Sequence, residues 1–179
     1  PVWWQSRGVS LSKSLVIGYG NPDREDDGVA WHIIRTLAVR FGRLDASTST
    51  DSILDLDVGE PLLSDDAPDL MAELQLMPEI AEKIAAYDKV CFVDAHTGAY
   101  ENELNVEHPK AEFQNSPFTH HLTPQTCLIL TQTAYGRAPE ALVVSVKGYR
   151  FGFALGLSQE TAQLADEAVE TILAWLKES

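Results

Sequence analysis

The residues best able to do chemistry are acids and imidazoles placed just beyond apolar runs. Asp26 and Asp27 follow Ser14-Leu15-Val16-Ile17-Gly18-Tyr19-Gly20 after a short polar turn, Asp94 directly follows Val90-Cys91-Phe92-Val93, and His120-His121 stands just ahead of Thr123-Pro124. Two carboxylates and one imidazole brought from three separate loops make a three-ligand site for a borderline divalent metal, with positions left open for water or a substrate atom. Each member also has a structural reading. Acids in the first turn of a helix oppose its dipole, which would account for Asp26 and Asp27. Asp94 could form a turn with Thr97-Gly98, although a carboxylate directly after four apolar strand residues is costly to desolvate without a partner. Neighbouring side chains in extended or turn backbone diverge, so one of the two histidines can join a site while the other faces elsewhere. His96 and His32 are reserves, His32 reading as a solvated residue opposite the apolar face of its helix.

Other chemistries are poorly served. The Gly18-Tyr19-Gly20 turn between a strand and a helix begins like a dinucleotide-binding fingerprint, but the third glycine position is Asp23. Glu25, Asp26 and Asp27 then crowd the helix amino end, where a pyrophosphate needs uncovered amides, so no nucleotide is expected. The same acids favour a cation. Neither a Gly-x-Ser-x-Gly elbow nor a His-Glu-x-x-His helix occurs. Cys91 lies inside an apolar run, and partial burial is the expected state of Cys127 despite its place near a helix start.

The elements that must position these groups alternate between strand and helix. Apolar runs at 14–20, 89–94 and 141–146 suit buried strands, 71–76 an alternating strand, and 103–107 a short edge strand. Apolar residues at helical spacing predict helices from about Asp26 to Phe41, after Pro78, from Thr123-Pro124 to Gly136, and from Ser158 to Leu176. This order predicts an α/β fold, a three-layer α/β/α sandwich around a mostly parallel, mixed sheet of about five strands. Ligands in such sheets sit beyond the carboxyl ends of the strands, where Asp27, Asp94 and the histidine loop all fall. The 179 residues form one domain. Within it, residues 44 to 70 carry eight acids and no Lys or Arg and read as a surface insertion. With 13 basic against 27 acidic residues and a net charge of -14, the chain has no basic stripe for nucleic acid or an anionic membrane. No window reaches the length of a membrane span, and the expectation is a soluble cytoplasmic monomer.

The run Gly18-Tyr19-Gly20-Asn21-Pro22 leading into Asp26-Asp27-Gly28-Val29 resembles the opening signature of the hydrogenase maturation endopeptidases. Gln75-Leu76-Met77-Pro78-Glu79, Val93-Asp94-Ala95, Thr119-His120-His121-Leu122-Thr123-Pro124 and Phe151-Gly152 with Leu157-Ser158 follow in the order that family shows. The resemblance implies a peptidase that trims the carboxyl-terminal peptide of a [NiFe]-hydrogenase large-subunit precursor once nickel is installed. It also implies a metal-binding trio of Asp27, Asp94 and His120, His120 being the histidine that directly follows Thr119. Asp27 and Asp94 are then the catalytic candidates, Gly20, Asn21, Gly28 and His121 the substrate-binding ones, and the metal the substrate's own nickel. The sequence departs from the family pattern at Ala30, where glycine is usual, at Arg24-Glu25 and in the acidic insertion. A non-catalytic metal-binding chaperone or regulatory module of the same fold is the alternative.

Overall fold

A computed structural model describes residues 13–47, 62, 67–112 and 122–178. Five strands, β1 (Ser14–Tyr19), β2 (Asp69–Glu73), β3 (Lys89–His96), β4 (Leu104–Glu107) and β5 (Glu140–Lys147), form one sheet in the order β2-β1-β3-β5-β4. All neighbours are parallel except β4, which runs antiparallel along the edge of β5. Among the described residues the helices are α1 (Val29–Arg40), α2 (Ile80–Ile84), α3 (Pro124–Tyr135) and α4 (Gln159–Leu176), and a 3-10 turn at Glu25–Gly28 leads into α1.

Period-two alternation along buried strands sends successive side chains to opposite faces, and both faces are covered. Val16, Cys91, Val93, Leu142 and Val144 pack with Ile33, Leu37, Ala168 and Ile172 of α1 and α4. Leu15, Ile17, Phe92 and Val143 pack with Ile80, Ile84 and Leu128 of α2 and α3. The expected three-layer sandwich is thus present, with β3 at its centre.

Local chemistry ends the helices where the sequence suggests. Thr123 caps α3, its Oγ1 accepting from Thr126 N at 3.2 Å, and Gly136 closes it at φ 75°. Ser158 caps α4 in the same way, accepting from Thr161 N at 3.3 Å.

Three boundaries around the acids differ from expectation. The strand expected to end at Asp94 runs on to His96, so Asp94 lies inside β3. The helix expected from Asp26 begins as a 3-10 turn and becomes α-helical only at Val29. The strand expected at 71–76 is Asp69–Glu73, so Asp69 and Leu70, which read as part of the acidic stretch, open β2. Asp69 is buried and accepts a 2.7 Å hydrogen bond from the Tyr87 hydroxyl, which lets an acid sit in a strand. Residues 48–61 and 63–66 of the acidic stretch lie outside the described residues.

Candidate functional site

Asp94 is the sixth residue of β3, where the central strand nears its carboxyl end. The ladder pairs Gly18 with Val93 and Ser145 with Asp94, so Tyr19 of β1 and Ser145 of β5 flank it. The Tyr19 hydroxyl donates to Asp94 Oδ2 at 3.0 Å. Asp94 Oδ1 and Ser145 Oγ are buried and have no hydrogen-bond partner among the described residues. Burial pushes the Asp94 carboxyl above its ordinary range, while the nearby Ser145 and Tyr19 hydroxyls pull it back down. The Tyr19 phenol is held well above its usual value, by burial first and the Asp94 charge second, so it stays a donor. A cavity of about 380 Å³ opens here, lined by Tyr19, Asp94, Tyr100, Glu107, Ser145 and the first residues of α3. An orphaned acceptor beside a second carboxylate fits a cation or a hydrogen-bond donor.

The adjacent acids Asp26 and Asp27 do different work. Asp26 is completely buried: Oδ2 accepts from Tyr149 N at 2.8 Å, Arg150 N at 2.9 Å and Ser158 Oγ at 2.7 Å, and Oδ1 from Ser158 N at 2.6 Å. Burial alone would raise its carboxyl, but the bonds from Ser158, Tyr149 and Arg150 outweigh it and hold the group at about 2. It is a structural anchor that ties the loop between β5 and α4 to the turn after β1. Glu25 reinforces the tie, accepting from Gly152 N at 2.7 Å and donating its amide to Ala154 O at 2.9 Å, in a left-handed conformation of φ 47°.

Asp27 is half-buried, and its Oδ2 accepts from Asn21 N at 3.0 Å. Gly20 has φ +141°, and a Cβ there would stand 2.3 Å from Asp27 O, so the turn closes only on glycine. The group that approaches Gly28 is the Pro22 backbone, 2.9 Å from where a Cβ would lie. Asn21 uses its side chain within the turn, Oδ1 accepting from Asp23 N at 2.9 Å. Gly20, Asn21 and Gly28, the expected substrate-binding residues, thus build the turn that carries Asp27.

His120 and His121 lie outside the described residues, which run to Glu112 and resume at Leu122. Among the described residues no three His, Cys, Asp or Glu side chains gather as a metal cluster. The reserve histidines serve elsewhere. His96 Nδ1 accepts from Gly98 N at 3.2 Å and Nε2 meets Glu103 O at 3.2 Å, so both ring nitrogens face backbone groups. His32 is half-buried on α1 rather than fully solvated, and burial lowers its pKa. Cys91 and Cys127 are both buried, and burial pushes the Cys127 thiol up to about 12. Sequence reasoning missed Tyr19 and Ser145. Tyr19 stood inside the glycine turn and read as strand filler, and alignment of β1 and β5 against β3 is what brings both to Asp94.

No family model and no curated protein matches the chain. Solved structures do. A [NiFe] hydrogenase maturation protease, HycI from Thermococcus kodakarensis KOD1, is 19% identical with a TM-score of 0.62, over 95% of this chain and 96% of its own. The hydrogenase maturating endopeptidase HybD from E. coli is 17% identical with a TM-score of 0.63, over 92% of each chain. A hydrogenase 2 maturation peptidase from a Thaumarchaeota archaeon is 20% identical with a TM-score of 0.58, over 92% of this chain and 97% of its own. The chain has the hydrogenase maturation protease fold. Identities this low establish a shared architecture, and within that maturation-protease architecture Asp94 belongs to the central strand and Asp27 to the turn after its neighbour. No described helix is long and apolar enough to cross a membrane.

Proposed function

We propose that this protein is an endopeptidase that removes the carboxyl-terminal peptide of a nickel-loaded [NiFe]-hydrogenase large-subunit precursor in the cytoplasm. The observation that carries the reading is the Asp94 carboxylate: buried on the central strand, held through one oxygen, unpartnered at the other and lining an open cavity. Such a group is costly to keep unless something binds it. The fold shared with solved maturation proteases supports this as the reaction class.

The nickel is cargo of the substrate, and Asp27, Asp94 and His120 are the residues that would receive it. When bound, it supplies an electrophile and an address marking the loaded precursor. The chain's own acids do the rest. Asp27 is set by the Asn21 amide and Asp94 by the Tyr19 hydroxyl, and either carboxylate can hold a water and take its proton. Hydrolysis then adds the hydroxyl to the scissile carbonyl carbon, breaks the carbon–nitrogen bond and delivers the proton to the leaving amine.

Nickel-loaded and nickel-free precursor, each incubated with wild type, Asp27→Ala and His120→Ala, test the reading by intact mass. Release of the peptide from loaded precursor by wild type alone is expected. Equal cleavage by all three would sink the proposal, and tight binding to precursor without loss of mass would point to the chaperone instead.

A further inference from the structure

A carboxylate turns easily about its terminal torsion, which has a broad, roughly two-fold profile, so an acid that must present one oxygen needs a donor to hold the other. Asp94 sits within the ladder between β3 and β5, opposite Ser145. A side chain from a flanking strand can reach. Tyr19 does so: it is the last residue of β1, its ring packs against the core layer of Ile17 and Phe92, and its hydroxyl lies 3.0 Å from Asp94 Oδ2. On the opposite flank Ser145, the register partner of Asp94, is buried, and its hydroxyl also lowers the Asp94 carboxyl.

We propose that Tyr19 is a positioning residue, whose hydroxyl fixes Oδ2 of Asp94 and so sets the orientation in which this carboxylate lines the cavity and meets the substrate and its metal. This rests on the function proposed above and adds a residue from the opening turn that does not itself act on substrate. A purely structural tyrosine would satisfy a buried oxygen and do nothing more. The two roles separate experimentally, because a partner that orients a metal ligand changes metal affinity, by about 10–100-fold. Loss of a merely structural bond changes stability alone.

The test uses the full chain as wild type, Tyr19→Phe and Asp94→Ala. Nickel(II) alone is titrated by calorimetry, and kcat and KM are measured on nickel-loaded precursor. Tyr19→Phe keeps the ring and removes the hydroxyl; it is expected to weaken nickel binding about 10-fold or more. It should also lower kcat with KM unchanged, and shift the visible spectrum of the cobalt(II)-substituted protein. Tyr19→Val, which keeps strand propensity, supplies the same readouts if Tyr19→Phe does not fold. Wild-type nickel affinity and kcat in the Tyr19 variant, with Asp94→Ala losing both, overturn the positioning role and leave the function standing. Asp94→Ala retaining wild-type kcat overturns the function itself, and the Tyr19 role with it.

Discussion

Replacing Asp26 by asparagine should remove a pH-dependent share of stability whose size follows from its surroundings. The carboxylate collects three N–H bonds and one O–H bond, all from residues 149–158, and has no exposure to solvent. Its depression from 3.8 to about 2 corresponds to about 2 kcal/mol favouring the folded state when it is ionised. Because the folded value lies below the unfolded one, that contribution is fully present above the ordinary carboxylate value and fades as the pH falls from about 4 toward 2. The amide that replaces the carboxylate would also turn an N–H group toward donors, which adds a penalty independent of pH. Asp26→Asn is therefore expected to be less stable than wild type by about 2–4 kcal/mol at pH 6, seen as a melting point lower by roughly 5–10 °C. Urea unfolding of both proteins at pH 6 and pH 2.5 provides the check: the gap should shrink by between 1 and 2 kcal/mol, approximately, at the lower pH. A gap of equal size at the two pH values would refute the reasoning, since the carboxylate would then not be carrying its charge against those four donors.

Asp94 should behave in the opposite sense. With its carboxyl raised by burial, wild type loses stability as the pH climbs from the ordinary carboxylate range through the raised value, and Asp94→Asn escapes that loss. The variant is expected to be more stable at pH 8 without metal, with a higher melting temperature than wild type, while losing cleavage; a lower melting point would show that the ionised group is satisfied after all. The cysteines should be inert: thiol reagents at pH 8 are expected to label neither Cys91 nor Cys127 in the native protein, and Cys127→Ala should cleave at the wild-type rate. Rapid labelling of folded protein, or an inactive Cys127→Ala, would contradict the burial argument.

Much of this was legible in the residues alone, and the parts that were not share a cause. The apolar runs of β1, β3 and β5, the Thr123 cap, the start of the closing helix at Ser158 and the Gly136 stop are local signals, and each appears where the composition puts it. Asp94 stood out because an acid directly after four apolar residues has an evident desolvation cost. The neighbouring acids Asp26 and Asp27 have identical chemistry, and what separates them is a set of donors more than 120 residues downstream, at Tyr149, Arg150 and Ser158. Asp69 was hidden for the same reason, since the hydroxyl that lets it open β2 belongs to Tyr87. Tyr19 meets Asp94 across 75 residues, through strand alignment that no short motif encodes. His96 read as a reserve ligand because its ring partners are backbone groups, which residue types do not reveal.

The central claim is that the carboxylates toward the carboxyl ends of the strands, Asp94 above all, serve a peptide-bond hydrolysis. Its most direct test is the intact mass of nickel-loaded large-subunit precursor after incubation with wild type and with Asp94→Ala, folding of the variant being verified by its melting transition. The account predicts loss of a single carboxyl-terminal peptide with wild type and an unchanged mass with the variant. The same peptide released at the same rate by folded Asp94→Ala would contradict it.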